Sequence, residues 1–197
     1  MTAVEFSTVQ RQQFRRVFQP SRIVLGIFSA DHPSGVNPIT LSFNMHSSYK
    51  PPMMTFGVFR NAFTRTLLET ATECVLAVPG ESLADEAMYC GVESGRVADK
   101  VAQCGLELIQ SEAVSVPGLA RAIANIELRI ANRVPAGDHL LVIGEVARYA
   151  VNKSNRERCL LSLGPDHSGF ELLARRGIHR IGAIARSAPE RPFIEHG

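Results

Sequence analysis

Apolar and polar residues alternate with a period of two over Pro38–Ser47: Ile39, Leu41, Phe43 and Met45 fall on one side, Thr40, Ser42, Asn44 and His46 on the other. This spacing predicts a strand with one oily and one hydrogen-bonding face. A buried strand is expected before it, over Arg22–Ser29, and a third after it, from about Met53 to Phe59. Pro51 and Pro52 separate the last two; they cannot continue a ladder and set an extended corner. Thr64–Thr72 reads as a short helix and Cys74–Val78 as a strand. The run from Ser82 to Asp85 has a helix-start pattern, with a helix running toward Cys90. A second helical stretch, Val97–Cys104, follows the break at Ser94-Gly95. Alternation returns over Asn125–Val134, where Ile126, Leu128 and Ile130 are apolar and Glu127 and Arg129 polar. A turn at Pro135–Asp138 then leads into a long strand, His139–Val151, which forms a hairpin with its predecessor.

Strands in meander-like order with short helices between them predict a mainly β (α+β) protein, a β-barrel with helical decoration. Long helices do not alternate with the strands, and no GxGxxG follows a strand, so a Rossmann domain is disfavoured. A length of 197 residues suits one domain with appended segments. The expected divisions are an N-terminal arm or helix over 1–20, a barrel domain over 21–165, and a C-terminal extension over 166–197 that packs on the barrel or on a partner copy.

Composition changes this picture only by exclusion. Hydrophobic residues at 45% and charged residues at 20% are ordinary for a soluble globular chain. A formal charge of +2, without a long basic run, gives no reason to expect nucleic-acid binding. No segment is long and apolar enough to span a membrane, and the N-terminus lacks the apolar core of a signal peptide. A cytoplasmic protein is expected. Cys74, Cys90, Cys104 and Cys159 form no CxxC pair, which argues against zinc and against a thioredoxin-type motif. They are expected to be free and mostly buried, and no metal site is expected.

Four clusters carry candidate chemistry. Asn37, Thr40 and Ser42 stand in the alternating strand, where a row of amides and hydroxyls suits a flat heterocycle or its polyol chain; the same row also suits the wet side of an ordinary strand. Arg60 and Thr64 precede a helix. The threonine reads first as an N-cap, while the free N–H groups of the helix start and the Arg60 charge also suit an anion. Ser94 and Gly95 precede the next helix, and Arg96 and Lys100, four apart, are expected on one helical face, as a clamp for a phosphate or as a solvated surface offset by Asp99. His139 follows Gly137-Asp138 at a hairpin mouth, where it either meets a ligand or closes the hairpin through Asp138.

Taken in order, five pieces resemble the flavin reductase-like family in its flavoredoxin-like branch. They are Asn37-Pro-Ile-Thr40-Leu-Ser42, Tyr49-Lys-Pro51-Pro52-Met53, Asn61-Ala-Phe-Thr64, the run from Tyr89 through Cys-Gly91-Val-Glu-Ser94-Gly95-Arg96 to Asp99-Lys100, and Gly137-Asp138-His139 followed by Ile143-Gly144-Glu145-Val146. They span about residues 22 to 150, and the run CGVESGRVADK is the most distinctive. The resemblance implies an FMN-binding split β-barrel that forms a homodimer with flavin near the subunit interface. It implies that Thr40, Ser42 and nearby backbone touch the isoalloxazine and ribityl groups. It places Thr64, Arg96 and Lys100 around the phosphate, with Asn37, Arg60, Ser94 and Gly95 in the same site, and His139 beside the flavin. FMN is expected over FAD, because one phosphate suits one helix-start site. The implied activity is electron transfer from NAD(P)H through FMN to an acceptor: free flavin, ferric iron or a partner protein. The alternatives are a flavoprotein that only carries FMN or electrons, and a barrel of the related pyridoxamine-phosphate oxidase-like kind, which the SGRVADK and GDH elements disfavour.

Overall fold

The buried runs of the sequence become strands whose two faces are both covered. The structure, a computed structural model, describes residues 8, 10, 14, 18–164 and 169–186. Along the chain run β1 (Ser21–Arg22), β2 (Val24–Ser29), β3 (Val36–Leu41), β4 (Asn44–Tyr49) and β5 (Pro52–Phe59). Helix α1 (Phe63–Leu67) and β6 (Glu73–Val78) follow, then a single 3₁₀ turn (Glu81–Leu83) that leads into α2 (Ala84–Val92), and α3 (Lys100–Cys104). The short strands β7 (Leu108–Ile109) and β8 (Gly118–Leu119) pair with each other ahead of the long β9 (Ala124–Ala136) and β10 (His139–Val151). Last come β11 (Leu161–Ser162), β12 (Phe170–Arg176) and β13 (His179–Ile184).

Seven strands form one antiparallel sheet in the order β3-β2-β6-β9-β10-β5-β4. Its two edge strands, β3 and β4, are consecutive in the chain and joined only through Ser42 and Phe43. A sheet whose edges are tied by two residues must curl back on itself, which makes it a split barrel. The interior is filled by alternate residues such as Val24, Phe28, Phe56, Leu76, Leu128 and Val142. The intervening residues Leu25, Ile27, Val75 and Ala77 face outward under α2, α3 and the smaller sheet β1-β11-β13-β12. Both faces of β2 and β6 are therefore apolar, which is why these strands read as continuous oily runs in the sequence.

Several boundaries differ from the expectation. The strand expected over Arg22–Ser29 is interrupted at Ile23, so that Ser21–Arg22 pairs with β11 and Val24–Ser29 joins the barrel. The single strand expected over Pro38–Ser47 breaks at Ser42–Phe43, and beyond the break the oily side turns outward: Phe43 and Met45 are exposed. Barrel closure needs that corner, and local alternation cannot register it. The helix expected over Thr64–Thr72 spans only Phe63–Leu67. The helix expected near Ser82 starts at Ala84, without a side-chain cap. The helix expected over Val97–Cys104 starts at Lys100, because Asp99 caps it by accepting from the N–H groups of Val101 (3.1 Å) and Ala102 (3.3 Å). The turn expected over Pro135–Asp138 tightens to Gly137-Asp138, since Pro135 and Ala136 still pair with Leu140 and His139. Gly137 takes φ +60°, the conformation that the first position of a two-residue hairpin loop asks of glycine. Most of the arm expected over 1–20 lies outside the described residues, as do 165–168 and 187–197. No described helix is long and apolar enough to cross a membrane.

Candidate functional site

A cleft of about 340 Å³ opens where β3, the β4 corner, the start of α1, the last turn of α2 and the tip of the β9–β10 hairpin meet. Its size falls in the roughly 300–1,000 Å³ range of small-molecule sites. Of the residues expected from sequence, Asn37, Thr40, Ser42, Thr64, Ser94, Gly95, Lys100 and His139 all line it. They come from four separate segments of the chain, so only the closure of the barrel brings them together.

The floor is built from β3. Asn37 is 1% exposed and donates through Nδ2 to the Thr64 hydroxyl at 3.0 Å. Its Oδ1 is buried and has no hydrogen-bond partner among the described residues. Gly95 packs directly on that oxygen; a Cβ there would sit 2.0 Å from it, so the loop can approach β3 only as glycine. Thr40 points toward α2 and donates its hydroxyl hydrogen to the Ala87 carbonyl. Gly91 leaves the room for this, since a Cβ on it would stand 3.2 Å from the Thr40 Cβ. The hydroxyl row on β3 therefore faces helices and cleft; the reading of it as the wet side of an ordinary strand is corrected. Thr64 is likewise not the N-cap of α1. That place belongs to Ala62, and Thr64 lies inside the helix, buried, with its hydroxyl turned to Asn37.

The cations arrange themselves differently from the expected clamp. Arg96 and Lys100 do not share a helical face, because Arg96 sits in the turn before α3. Lys100 is 2% exposed and donates from Nζ to the carbonyls of Cys90 (3.1 Å) and Glu93 (3.4 Å). It thereby satisfies carbonyls that the end of α2 leaves without helical partners. Burial pulls its pKa below the usual lysine value, while Glu93 and the neighbouring thiols oppose that. Arg96 lays its guanidinium over the Phe63 ring, 5.5 Å from the centroid, and Ser94 Oγ accepts from the Arg96 N–H at 3.3 Å. Arg60 and Arg96 do not line the cleft wall, although the Arg60 N–H donates to the Asp138 carbonyl at 2.9 Å and so fixes the hairpin tip beside α1. Asp99 holds the loop from beneath: its carboxylate accepts from the Ser34 hydroxyl (2.8 Å) and N–H (2.9 Å). Burial works against that charge, but the bonds from Ser34, Ala102 and Val101 together bring its pKa below the usual carboxylate value.

At the mouth, His139 Nδ1 lies 2.6 Å from Asp138 Oδ1, so the hairpin-closing contact forms. The ring nevertheless lines the cleft and packs between Phe43 (5.0 Å between centroids) and Phe59 (5.6 Å). These two aromatics, with Phe63 and Gly91, are site residues that strand alternation missed. By alternation Phe43 falls on the oily side of its strand, and nothing local says that the chain turns a corner beneath it. Among the described residues, no group of His, Cys, Asp and Glu is placed to hold a metal ion.

The family model for the flavin reductase like domain matches residues 15–170. An uncharacterized protein of Archaeoglobus fulgidus is 29% identical over 127 residues, which cover 64% of this chain and 70% of the relative. Among solved structures, an FMN-binding protein from Thermus thermophilus superposes with a TM-score of 0.70 at 22% identity, covering 96% of this chain and 100% of the other. An NADH:FAD oxidoreductase from Streptomyces globisporus gives 0.69 at 20% identity, covering 84% and 96%. At these identities the structural likenesses establish the fold, which is the split barrel, and the family match covers most of the described chain. The chain belongs to the flavin reductase-like family.

Proposed function

We propose that the cleft binds FMN and that the protein is an oxidoreductase that passes electrons from NAD(P)H to an acceptor: free flavin, ferric iron or a partner protein. The observation that carries this reading is the cleft itself, in which apolar rings and backbone-close glycines face a set of amide and hydroxyl groups. The residues fit the group. Asn37 Oδ1 is a buried acceptor with no partner among the described residues, Thr40 and Ser42 offer hydroxyl oxygens, and Phe43 and Phe59 supply flat apolar surface. Thr64, Ser94 and the Gly95 backbone would hold the phosphate end, with the exposed Arg60 and Arg96 on the loops ahead of α1 and α3. Lys100 acts by holding the loop that carries Ser94 and Gly95. When bound, FMN supplies the two-electron chemistry, which explains why the chain needs no catalytic triad. His139 would orient a ligand at the mouth, with Asp138 setting which ring nitrogen carries the proton.

The reading extends to a homodimer. β4 is an edge strand that presents Met45 and Tyr49 to solvent, and Tyr149 and Val151 of β10 are exposed as well. An apolar edge of this kind suits pairing with a second copy. The names borne by the two similar structures, for FMN binding and for NADH:FAD oxidoreduction, support the cofactor and donor without transferring them.

The test is direct. The purified protein is titrated with FMN, and the flavin absorbance is followed anaerobically with NADH and separately with NADPH. Saturable FMN uptake and bleaching by one donor are expected. A chain that takes up no FMN overturns the proposal, and one that binds FMN without donor-dependent bleaching is a carrier.

A further inference from the structure

The tip of the β12–β13 hairpin carries a charge pattern that flavin binding does not use. Arg175 of β12 stands directly opposite Arg180 of β13, and Arg176 opposite His179, on either side of the two-residue turn Gly177-Ile178. Like charges across one rung of a sheet oppose its formation, so stability does not explain the pair. Elsewhere on the same sheet the arginines are neutralised: Arg158 meets Glu171 at 2.8 Å and also Glu81, and Arg186 meets Glu81 at 3.1 Å. At the tip Arg176 has a carboxylate, Glu93 at 2.5 Å. Among the described residues no carboxylate pairs with Arg175 or Arg180. Each gives one N–H to its own turn, Arg175 Nε to the Gly177 carbonyl and Arg180 Nη1 to the Ile178 carbonyl, both at 3.4 Å. A guanidinium has five such donors, so most remain for a ligand.

Glu93 ties this tip to the cleft. It caps the end of α2 and lines the cleft, and its ion pair with Arg176 fastens the hairpin to the cleft rim. Size and charge then choose the occupant. Directly opposed residues of an antiparallel pair stand roughly 5 Å apart at Cα, so two guanidiniums on one rung suit a single phosphate group. Arginine meets phosphate with paired N–H groups. A broad acidic protein surface would instead meet neutralised arginines on the rest of the sheet. Of the two nicotinamide donors, only NADPH carries a phosphate monoester on its adenosine ribose, and an arginine near that ribose is a recurring way to accept it.

We propose that Arg175 and Arg180 hold the ribose 2′-phosphate of NADPH at the β12–β13 tip and make the protein prefer NADPH to NADH. This rests on the reading of the protein as a nicotinamide-dependent flavoenzyme: the nicotinamide enters the cleft, and the adenosine end reaches past Glu93 to the hairpin. Arg176 stays with Glu93 and holds the tip in place. The phosphate offsets the repulsion between Arg175 and Arg180, so the strain of that rung is relieved only when the phosphorylated donor is bound.

The oxidised dinucleotides NADP⁺ and NAD⁺ bind without turnover, so calorimetric titration of each into the full-length protein equilibrated with FMN compares the two donors. NADP⁺ is expected to bind on the order of tenfold more tightly, from charge-assisted hydrogen bonds to the extra phosphate. In the double variant Arg175→Gln, Arg180→Gln that advantage is expected to vanish, with NAD⁺ and FMN affinities unchanged. Equal wild-type affinities overturn the proposal in favour of an acidic partner protein at the tip. Tighter binding of NAD⁺, or a variant that loses both dinucleotides alike, overturns it as well. If the variant fails to fold, salt decides on the wild type: the NADP⁺ advantage must shrink as ionic strength rises, and a constant ratio overturns the proposal. FMN uptake is read in its own titration without dinucleotide. A protein that takes up no FMN but still prefers NADP⁺ loses the flavin reading and keeps this one.

Discussion

At the scale of single residues, Lys100 shows how burial reassigns a charge. By spacing it belongs to a phosphate clamp; in the fold its ammonium is spent on the carbonyls of Cys90 and Glu93. Lys100→Met keeps the stem and removes the donor, leaving those carbonyls short of a partner. It is expected to cost about 1.5–3 kcal/mol of stability, the range for hydrogen bonds to charged groups, measured by urea unfolding. Affinities for FMN and riboflavin should fall together, since the loop moves as a whole; a selective loss of FMN binding at unchanged stability would restore the clamp. His139 is the converse case. Its bond to Asp138 is exposed and local, so His139→Ala is expected to leave the melting temperature and FMN affinity nearly unchanged while donor-driven bleaching slows. If bleaching keeps its rate, the ring only closes the hairpin.

At the scale of elements, the small sheet is fastened to the barrel side by charge. Glu81, in the 3₁₀ turn before α2, accepts from Arg158 Nε at 2.9 Å and from a second Arg158 nitrogen, and also from Arg186 (3.1 Å). Arg158 in turn meets Glu171 of β12 at 2.8 Å. The bonds from Arg158 hold the Glu81 pKa below the usual carboxylate value, against burial. A depressed folded-state pKa adds stability that is complete above the unfolded value of about 4.3 and is lost as pH falls through the folded one. Glu81→Gln is therefore expected to cost on the order of 1 kcal/mol near pH 7. The gap from wild type should shrink below about pH 4, as read from thermal unfolding across pH. A gap that stays constant down to pH 2 would mean that Glu81 contributes packing and not charge. The same element scale explains the boundary errors. Asp99 outcompetes Ser94 as a cap because its carboxylate serves both α3 and Ser34, a residue far away in the chain.

For the whole molecule, edge and cleft adjoin. Phe43 is both the corner that closes the barrel and a wall of the cleft, and it is 58% exposed. A second copy docked along β4 would cover it together with Met45 and Tyr49. If the proposed dimer forms, Met45→Glu is expected to shift it toward monomer in light scattering and to weaken FMN binding at the same time. A wild-type protein that is monomeric at full FMN occupancy would remove the dimer from the reading.

The sequence by itself determined the central barrel strands β2, β5, β6, β9 and β10, because period-two alternation and short oily runs follow from the backbone geometry of each segment alone; the split between β3 and β4 and the small sheet it did not. It placed the hairpin turn within Pro135–Asp138; the pairing of Pro135 and Ala136 with β10 then tightened it to Gly137-Asp138. The ordered pieces around Asn37, Thr64, Ser94 and His139 also named the family and most of the cleft lining, since each is a contiguous string. Only the tertiary structure decided what those residues do. Whether Thr40 meets water or a helix, and whether Lys100 meets a ligand or a carbonyl, depend on segments distant in sequence. Their approach is set by how the barrel closes and how α2 and α3 pack on it, and no local periodicity carries that information.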